Sequence, residues 1–258
     1  MKNINKALIL ILILSFIIRM AFAFASPVKW WDEAVYANLG YDLSKNLSDY
    51  SFANNGWSDF IPDDSWPHAG FRAPLLPYFF SIFYFFKLDY LITFLMPFIG
   101  TLSVFLTYIL GKKLFNEEAG IYSAILLAFL PLHVFYSGKM LTDVFATFFI
   151  VLAFISFWKG YEEHNNKHKI LFGFFLALSI LARYSSLWVM PIFPLYILIR
   201  DRSLAFLRER YNWYSVLAFF LPIIPWLIYS LYEYGGMFGA FIHGFKAASY
   251  WGGVQPWY

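Results

Sequence analysis

The sequence contains no cysteine, and only 14% of its residues carry charge, where a soluble domain of this size would have about 25%. The first absence excludes a disulfide framework, a thiol nucleophile and a Cys-ligated metal. The second is not spread evenly but falls in long uncharged runs, which marks a polytopic membrane protein. A net charge of +3, with no arginine-rich tract, gives no basis for nucleic-acid binding. What fills the space is apolar: 60% of the residues are hydrophobic and 24% aromatic.

Apolar runs recur at about 7–26, 73–86, 90–111, 119–137, 143–158, 170–199 and 211–232. The first is too long for the apolar core of a signal peptide, and "FAFAS" is a weak cleavage site, so it reads as a retained anchor. Lys112 and Lys113, "KGYEEHNNKHK" (159–169) and "RDRSLAFLRER" (200–210) are the basic connectors. The positive-inside rule places them, with the N-terminus, in the cytoplasm. Parity then requires an odd number of crossings between the first external loop, about 27–72, and Lys112. The run 73–86 is short of the roughly 20 residues a span needs and is expected to lie in the outer leaflet. The run 170–199 starts and ends inside, so it should be two short helices meeting at Ala182 to Ser186. The expected fold is all-α: a bundle of about seven transmembrane helices, with an external loop that carries membrane-surface helices.

The unusual residues then gather on the outer side. In "KWWDEAVYANLGYDL" (29–43), a helix starting near Asp32 puts Val35, Tyr36, Leu39, Leu43 and Leu47 on one stripe. Asn38, Asp42 and Lys45 fall on another, as in an amphipathic helix lying on a membrane. Asp32 would be its N-cap, and capping is the plain reading of that residue. Asp143, at the mouth of the helix after "YSGKMLT", admits the same reading. Arg72, Lys139 and Arg183, taken singly, could be snorkelling anchors. Together with His68 they put basic residues at headgroup depth on the side that the positive-inside rule depletes. Guanidinium groups there suit a lipid-linked phosphate. Arg19, deep in the first run, should pair with a carboxylate or a phosphate. The tyrosines and tryptophans of the first loop read as an interfacial belt, and "NLS" (46–48) as a sequon that chance could supply.

A basic residue in the first span, "DEAVYANLG", "RAPLLPYFF", "GKKLF", "SGKMLTD" and "GFFLALSILARYSSLWVMPIFPLYILIR" form an ordered set. Over about 7–199 this set resembles the membrane glycosyltransferases of the GT-C superfamily. The dolichyl-phosphate-mannose:protein mannosyltransferases and the bacterial aminoarabinose transferases acting on lipid A are the nearest kin. The resemblance implies transfer of a sugar from a polyprenyl-phosphate donor to a protein, lipid or glycan acceptor at the external face. It implies that Asp32 is the general base and that Asp143 shapes the site. Arg183 would contact the donor phosphate, in a place where relatives often have Lys. Lys139 stands where relatives commonly have Arg, and "RAPLLP" where they have "RPPL".

The resulting candidate site has Asp32 and Asp143 as its catalytic carboxylates. Glu33, Tyr36, His68, Arg72, Lys139 and Arg183 bind substrate. A phosphate leaving group needs no general acid, so cations suffice to stabilise it. No cofactor is assigned: Asp32, Glu33 and Asp143 could hold a divalent metal, but carboxylates spread over two loops do not specify one. Relatives continue with further spans after the point corresponding to "WGGVQPWY", so the chain is expected to be an N-terminal portion. Two other classes stay open at this stage: a transporter, which also uses short broken helices, and a non-catalytic subunit that binds polyprenyl phosphate.

Overall fold

The computed structural model describes residues 2–26, 30–50, 71–203 and 205–254, and among them there are eleven α-helices and no strand. His68 and the rest of 51–70 lie outside the described residues. The helices are α1 (Lys2–Ala25), α2 (Trp31–Lys45), α3 (Leu75–Phe85), α4 (Ile92–Leu114), α5 (Glu117–Phe129) and α6 (Pro131–Ser137). They continue with α7 (Thr142–Phe157), α8 (Asn166–Ala182), α9 (Ile192–Asp201), α10 (Arg210–Tyr234) and α11 (Gly239–Val254). The long uncharged runs have become helical, some as one helix and some as two, since lipid offers backbone N–H and C=O groups no other partner.

Among the described residues four stretches are long and apolar enough to cross a membrane: Lys6–Ala25, Asp89–Leu114, Thr142–Glu162 and Arg210–Tyr234. The α5–α6 pair makes a fifth if counted as one bent span. That is fewer than the expected seven, because the run 170–199 holds two shorter helices, α8 and α9, that meet at a 3₁₀ turn, Tyr184–Val189. The hairpin tip therefore falls where the sequence placed it. The segment α3, with 11 residues, is apolar but too short to span, as expected of 73–86.

In the bundle α4 packs between α5 and α7, α7 against α8, and α8 against α10, while α1 lies across α4 and α5. One buried cluster joins α1, α4 and α5 through Leu8, Ile11, Val104, Tyr108, Ala124 and Ala128. A larger one joins α2, α7, α8, α9, α10 and α11. The pair α2–α3 closes one end of the bundle.

Two expectations about α2 are corrected. Its stripe of Val35, Tyr36, Leu39 and Leu43 is buried in protein rather than laid on lipid, and only Leu47 stays exposed. The packing partner is α3, and Gly40 makes the approach possible: a Cβ there would sit 2.7 Å from Phe80 Cβ. Asp42 is buried with the stripe, not on a solvated face. The second correction concerns the helix start. The N-cap residue is Trp30, and Asp32 is already inside the first turn.

The apolar run 119–137 is also not one helix. It breaks at Leu130 and bends by 62°, because Pro131 has no N–H to give Leu127 and cannot continue α5. The break leaves carbonyls at the end of α5 without helical donors. Arg19 meets this need. Its side chain is fully buried, and it donates to Leu127 O (3.1 Å), Ala128 O (3.0 Å), Ser15 Oγ (2.6 Å) and Ser137 Oγ (3.2 Å). It also donates to His133 Nδ1 at 2.7 Å. The expected carboxylate or phosphate partner is thus replaced by a helix C-terminus, whose dipole favours a cation.

This arrangement gives a direct test. Arg19→Met should lower stability by about 1–3 kcal/mol, the penalty for buried acceptors stripped of donors. Arg19→Lys, which keeps the charge but fewer donors, should lose less. Thermal unfolding in detergent measures both, and a Met variant as stable as the parent would show that the bend does not rely on this side chain.

Candidate functional site

The first turn of α2 carries two adjacent carboxylates with different fates. Glu33 sits three residues into the turn and reaches back, so its Oε2 accepts the Trp30 N–H at 2.8 Å. This is the reciprocal half of a capping box. Its Oε1 accepts the Met140 N–H at 2.9 Å, from the turn between α6 and α7. Lys139 Nζ lies 3.6 Å from Oε2 and 5.7 Å over the Trp30 ring. Glu33 is 0% exposed and Lys139 2%. Buried charges of this kind persist only when paired and hydrogen-bonded, and here both conditions hold.

Asp32, one position earlier, points the other way. Its carboxylate is half exposed and meets Arg72 Nη2 at 2.8 Å. Arg72 comes from the segment leading into α3 and lies 5.5 Å over the Tyr36 ring, one helical turn beyond Asp32. Tyr50 fixes the backbone there by donating its hydroxyl to Arg72 O (3.2 Å) and Ala73 O (3.4 Å). Burial opposes the Arg72 charge, but Tyr36 and Asp32 favour it more, so its pKa is raised. Its Nε is buried and has no hydrogen-bond partner.

A second pair stands beside the first. Asp143 is the second residue of α7, after the N-cap Leu141, and so it too is not the cap. Arg183, the first residue past α8, places Nη1 at 2.6 Å from Asp143 Oδ2 and 3.4 Å from Thr142 Oγ1. Tyr36, Leu141, Val144 and Ala182 belong to one buried cluster, which brings the two arginine–carboxylate pairs to the same end of the bundle. Of the predicted site residues, Asp32, Glu33, Tyr36, Arg72, Lys139, Asp143 and Arg183 come together.

Three residues that sequence reasoning missed hold this end in place. Trp226 on α10 donates its indole N–H to the Tyr184 hydroxyl at 2.9 Å. Tyr50 packs edge-on against Trp226 at 5.1 Å. The tyrosines of the first loop that are described, Tyr36, Tyr41 and Tyr50, therefore do not all form an interfacial belt, since Tyr36 and Tyr50 are buried. Tyr184 had a signal in its adjacency to Arg183, whereas nothing in the sequence linked Tyr50 to Trp226.

Among the described residues, three carboxylates of the site face three cations. The Glu33–Lys139 pair is sealed and acts as scaffold. In the other two pairs one side stays open to solvent, through Asp32 in the first and Arg183 in the second, while Arg72 is mostly buried; an anion that reaches either guanidinium can compete with its carboxylate. A guanidinium offers such an anion, phosphate above all, a bidentate grip. For a metal the fit is poor, because each carboxylate is already engaged by a protein cation. Among the described residues no three His, Asp or Glu side chains form a ligand group. A groove of about 590 Å³ lies at the far end of α2, lined by Leu43, Leu47, Ile82, Phe85 and Phe86 among others.

Residues 71–229 match the family model described as dolichyl-phosphate-mannose-protein mannosyltransferase. No curated protein matches the chain. The match takes in Arg72, Lys139, Asp143 and Arg183, while Asp32, Glu33 and Tyr36 precede it. It spans well over half of the 258 residues, and its membrane setting agrees with the apolar helices. The chain is an integral membrane glycosyltransferase and belongs to the dolichyl-phosphate-mannose-protein mannosyltransferase family.

Proposed function

We propose that the chain transfers a sugar from a polyprenyl-phosphate donor to an acceptor hydroxyl, at the external face of the membrane. The observation that carries this reading is the pair of arginine–carboxylate contacts, Asp32–Arg72 and Asp143–Arg183, each open to solvent on one side, at one end of the bundle. The donor phosphate competes with the carboxylates for both guanidinium groups. Once Arg72 turns to phosphate, Asp32 is left with a free lone pair next to the reacting centre.

Asp32 then takes the proton from the acceptor hydroxyl. The acceptor oxygen bonds to the anomeric carbon as the bond from that carbon to the phosphate oxygen breaks. The electron pair leaves with polyprenyl phosphate, and Arg72 and Arg183 stabilise the charge that develops on it. Asp143 holds Arg183 and supplies negative charge near an oxocarbenium-like centre. Glu33 and Lys139 take no part in this chemistry, and they fix the first turn of α2 against the 138–141 turn. The mannosyl donor in the family's description is the first substrate to assay. A transport function draws less support, because the paired charges gather at the bundle's end.

Asp32→Asn should cut transfer by about a hundredfold or more, the usual scale for loss of a general base. The variant should keep its fold, because the helix is capped through Glu33 rather than Asp32. Glu33→Gln should behave in the opposite way and lose about 3–5 kcal/mol of stability by breaking its buried ion pair with Lys139. Equal turnover by Asp32→Asn and the parent, with donor bound normally, would remove Asp32 from the mechanism.

Arg183→Ala should weaken polyprenyl-phosphate binding much more than it lowers the unfolding temperature, and Arg183→Lys should recover part of the binding. Unaltered affinity in the Ala variant refutes the phosphate role.

The orientation can be read with thiol reagents, because the parent has no cysteine. Ser185→Cys should label from outside with an impermeant reagent, and His164→Cys only after the membrane is opened. The reverse pattern would invert the topology proposed here.

A further inference from the structure

The last described helix, α11, lies beyond the residues matched to the family, yet it packs onto the candidate site. The helix α10 ends at Gly235, whose φ of 66° turns the chain back. Ser230 Oγ then accepts the Ala240 N–H at 3.0 Å and donates to Gly236 O at 2.9 Å, which pins the start of α11 to α10. Ala240 and Phe241 are buried, and the Phe241 ring packs, tilted by 36°, with its centroid 4.4 Å from that of Tyr184.

One turn on, Gly244 touches the same ring. A Cβ at Gly244 would lie 3.0 Å from Tyr184 Cδ2, 3.1 Å from Cε2 and 3.6 Å from Phe71 O. Tyr184 and Phe71 are the neighbours in sequence of Arg183 and Arg72. The Tyr184 side chain is thus boxed in, by Phe241 and Gly244 against the ring and by the Trp226 N–H on the hydroxyl. Its backbone neighbour Arg183 has no such enclosure, being half exposed.

We infer that α11 is a positioning element of the glycosyltransferase site, which sets Arg183 against Asp143 by fixing the Tyr184 ring between Gly244, Phe241 and Trp226. The link to donor binding rests on the function proposed above, while the link to Arg183 geometry does not. A side chain at 244 fits tightly: a Cβ makes the Tyr184 ring give by a few tenths of an ångström, a larger side chain by more, and the ring belongs to the residue next to Arg183. A shift of about 1 Å at a positioning residue can cost on the order of a hundredfold in a reaction.

The test measures geometry and binding separately in the full chain. In a cysteine-free parent carrying Arg183→Cys and Asp143→Cys, a short thiol-to-thiol cross-linker should join the two positions readily. Adding Gly244→Val should slow that cross-link severalfold and Gly244→Ala less, and Tyr184→Leu, which removes the ring, should slow it as well. In chains with native Arg183, Gly244→Val should weaken binding of decaprenyl phosphate by about tenfold or more. Placed on Arg183→Ala it should weaken binding no further, since coupled residues are not additive. A cross-linking rate that Gly244→Val and Gly244→Ala leave unchanged overturns the inference, as does equal weakening with and without Arg183. If the cross-link slows but the native chain does not bind decaprenyl phosphate, the positioning role stands and the proposed function fails.

Discussion

A carboxylate with no exposed surface, Glu33, joins α2 to the rest of the bundle. It accepts the Trp30 N–H, which starts α2, and the Met140 N–H, which lies 107 positions away in the chain. Lys139 balances its charge. A pair of buried charges brings little net stability over apolar side chains of the same size, but breaking one is costly, so it specifies a register more than it adds strength. Here the register is that of α2 against the start of α7. Asp32 and Asp143 reach the same end of the molecule because this contact fixes both of their helices.

Around that fixed point the site uses its charges in two ways. Glu33 and Lys139 are sealed from water. Asp32, Arg72, Asp143 and Arg183 remain at least partly open to it. The difference is one of solvation: a buried pair has no competing ligand, whereas an open pair is in exchange with water and with any anion that arrives. A rigid frame that carries exchangeable pairs suits a site that must hold a phosphate and then release it. Among the described residues the three ion pairs balance in charge, which lowers the cost of holding them in a largely apolar molecule.

The bend at Pro131 solves a second problem of the same kind. A helix broken within an apolar bundle exposes carbonyls that lipid cannot satisfy. Arg19 supplies several donors from one side chain, and Ser137 and His133 share them. The short helix α6 then runs straight into the turn bearing Lys139 and Met140. Pro131 and Arg19, neither of which touches the site, thereby determine where that turn lies.

Much of this was legible in the sequence. Uncharged runs with basic connectors dictated an all-α membrane bundle, because lipid leaves the backbone no other way to satisfy itself. The length of 73–86 marked α3 as too short to span, and the ordered set of short motifs brought Asp32, Arg72, Lys139, Asp143 and Arg183 under one reading. The sequence could not say which carboxylate takes which cation. Asp32 and Glu33 are chemically near-equal neighbours, and only the direction each faces from α2 makes one the helix cap and scaffold and the other an open ion pair. Nor could it show that Arg19 binds carbonyls, that Asp42 is buried, or that α11 reaches Tyr184. Ion pairing and enclosure depend on distances between side chains far apart in the chain. Those distances are set only when the helices pack.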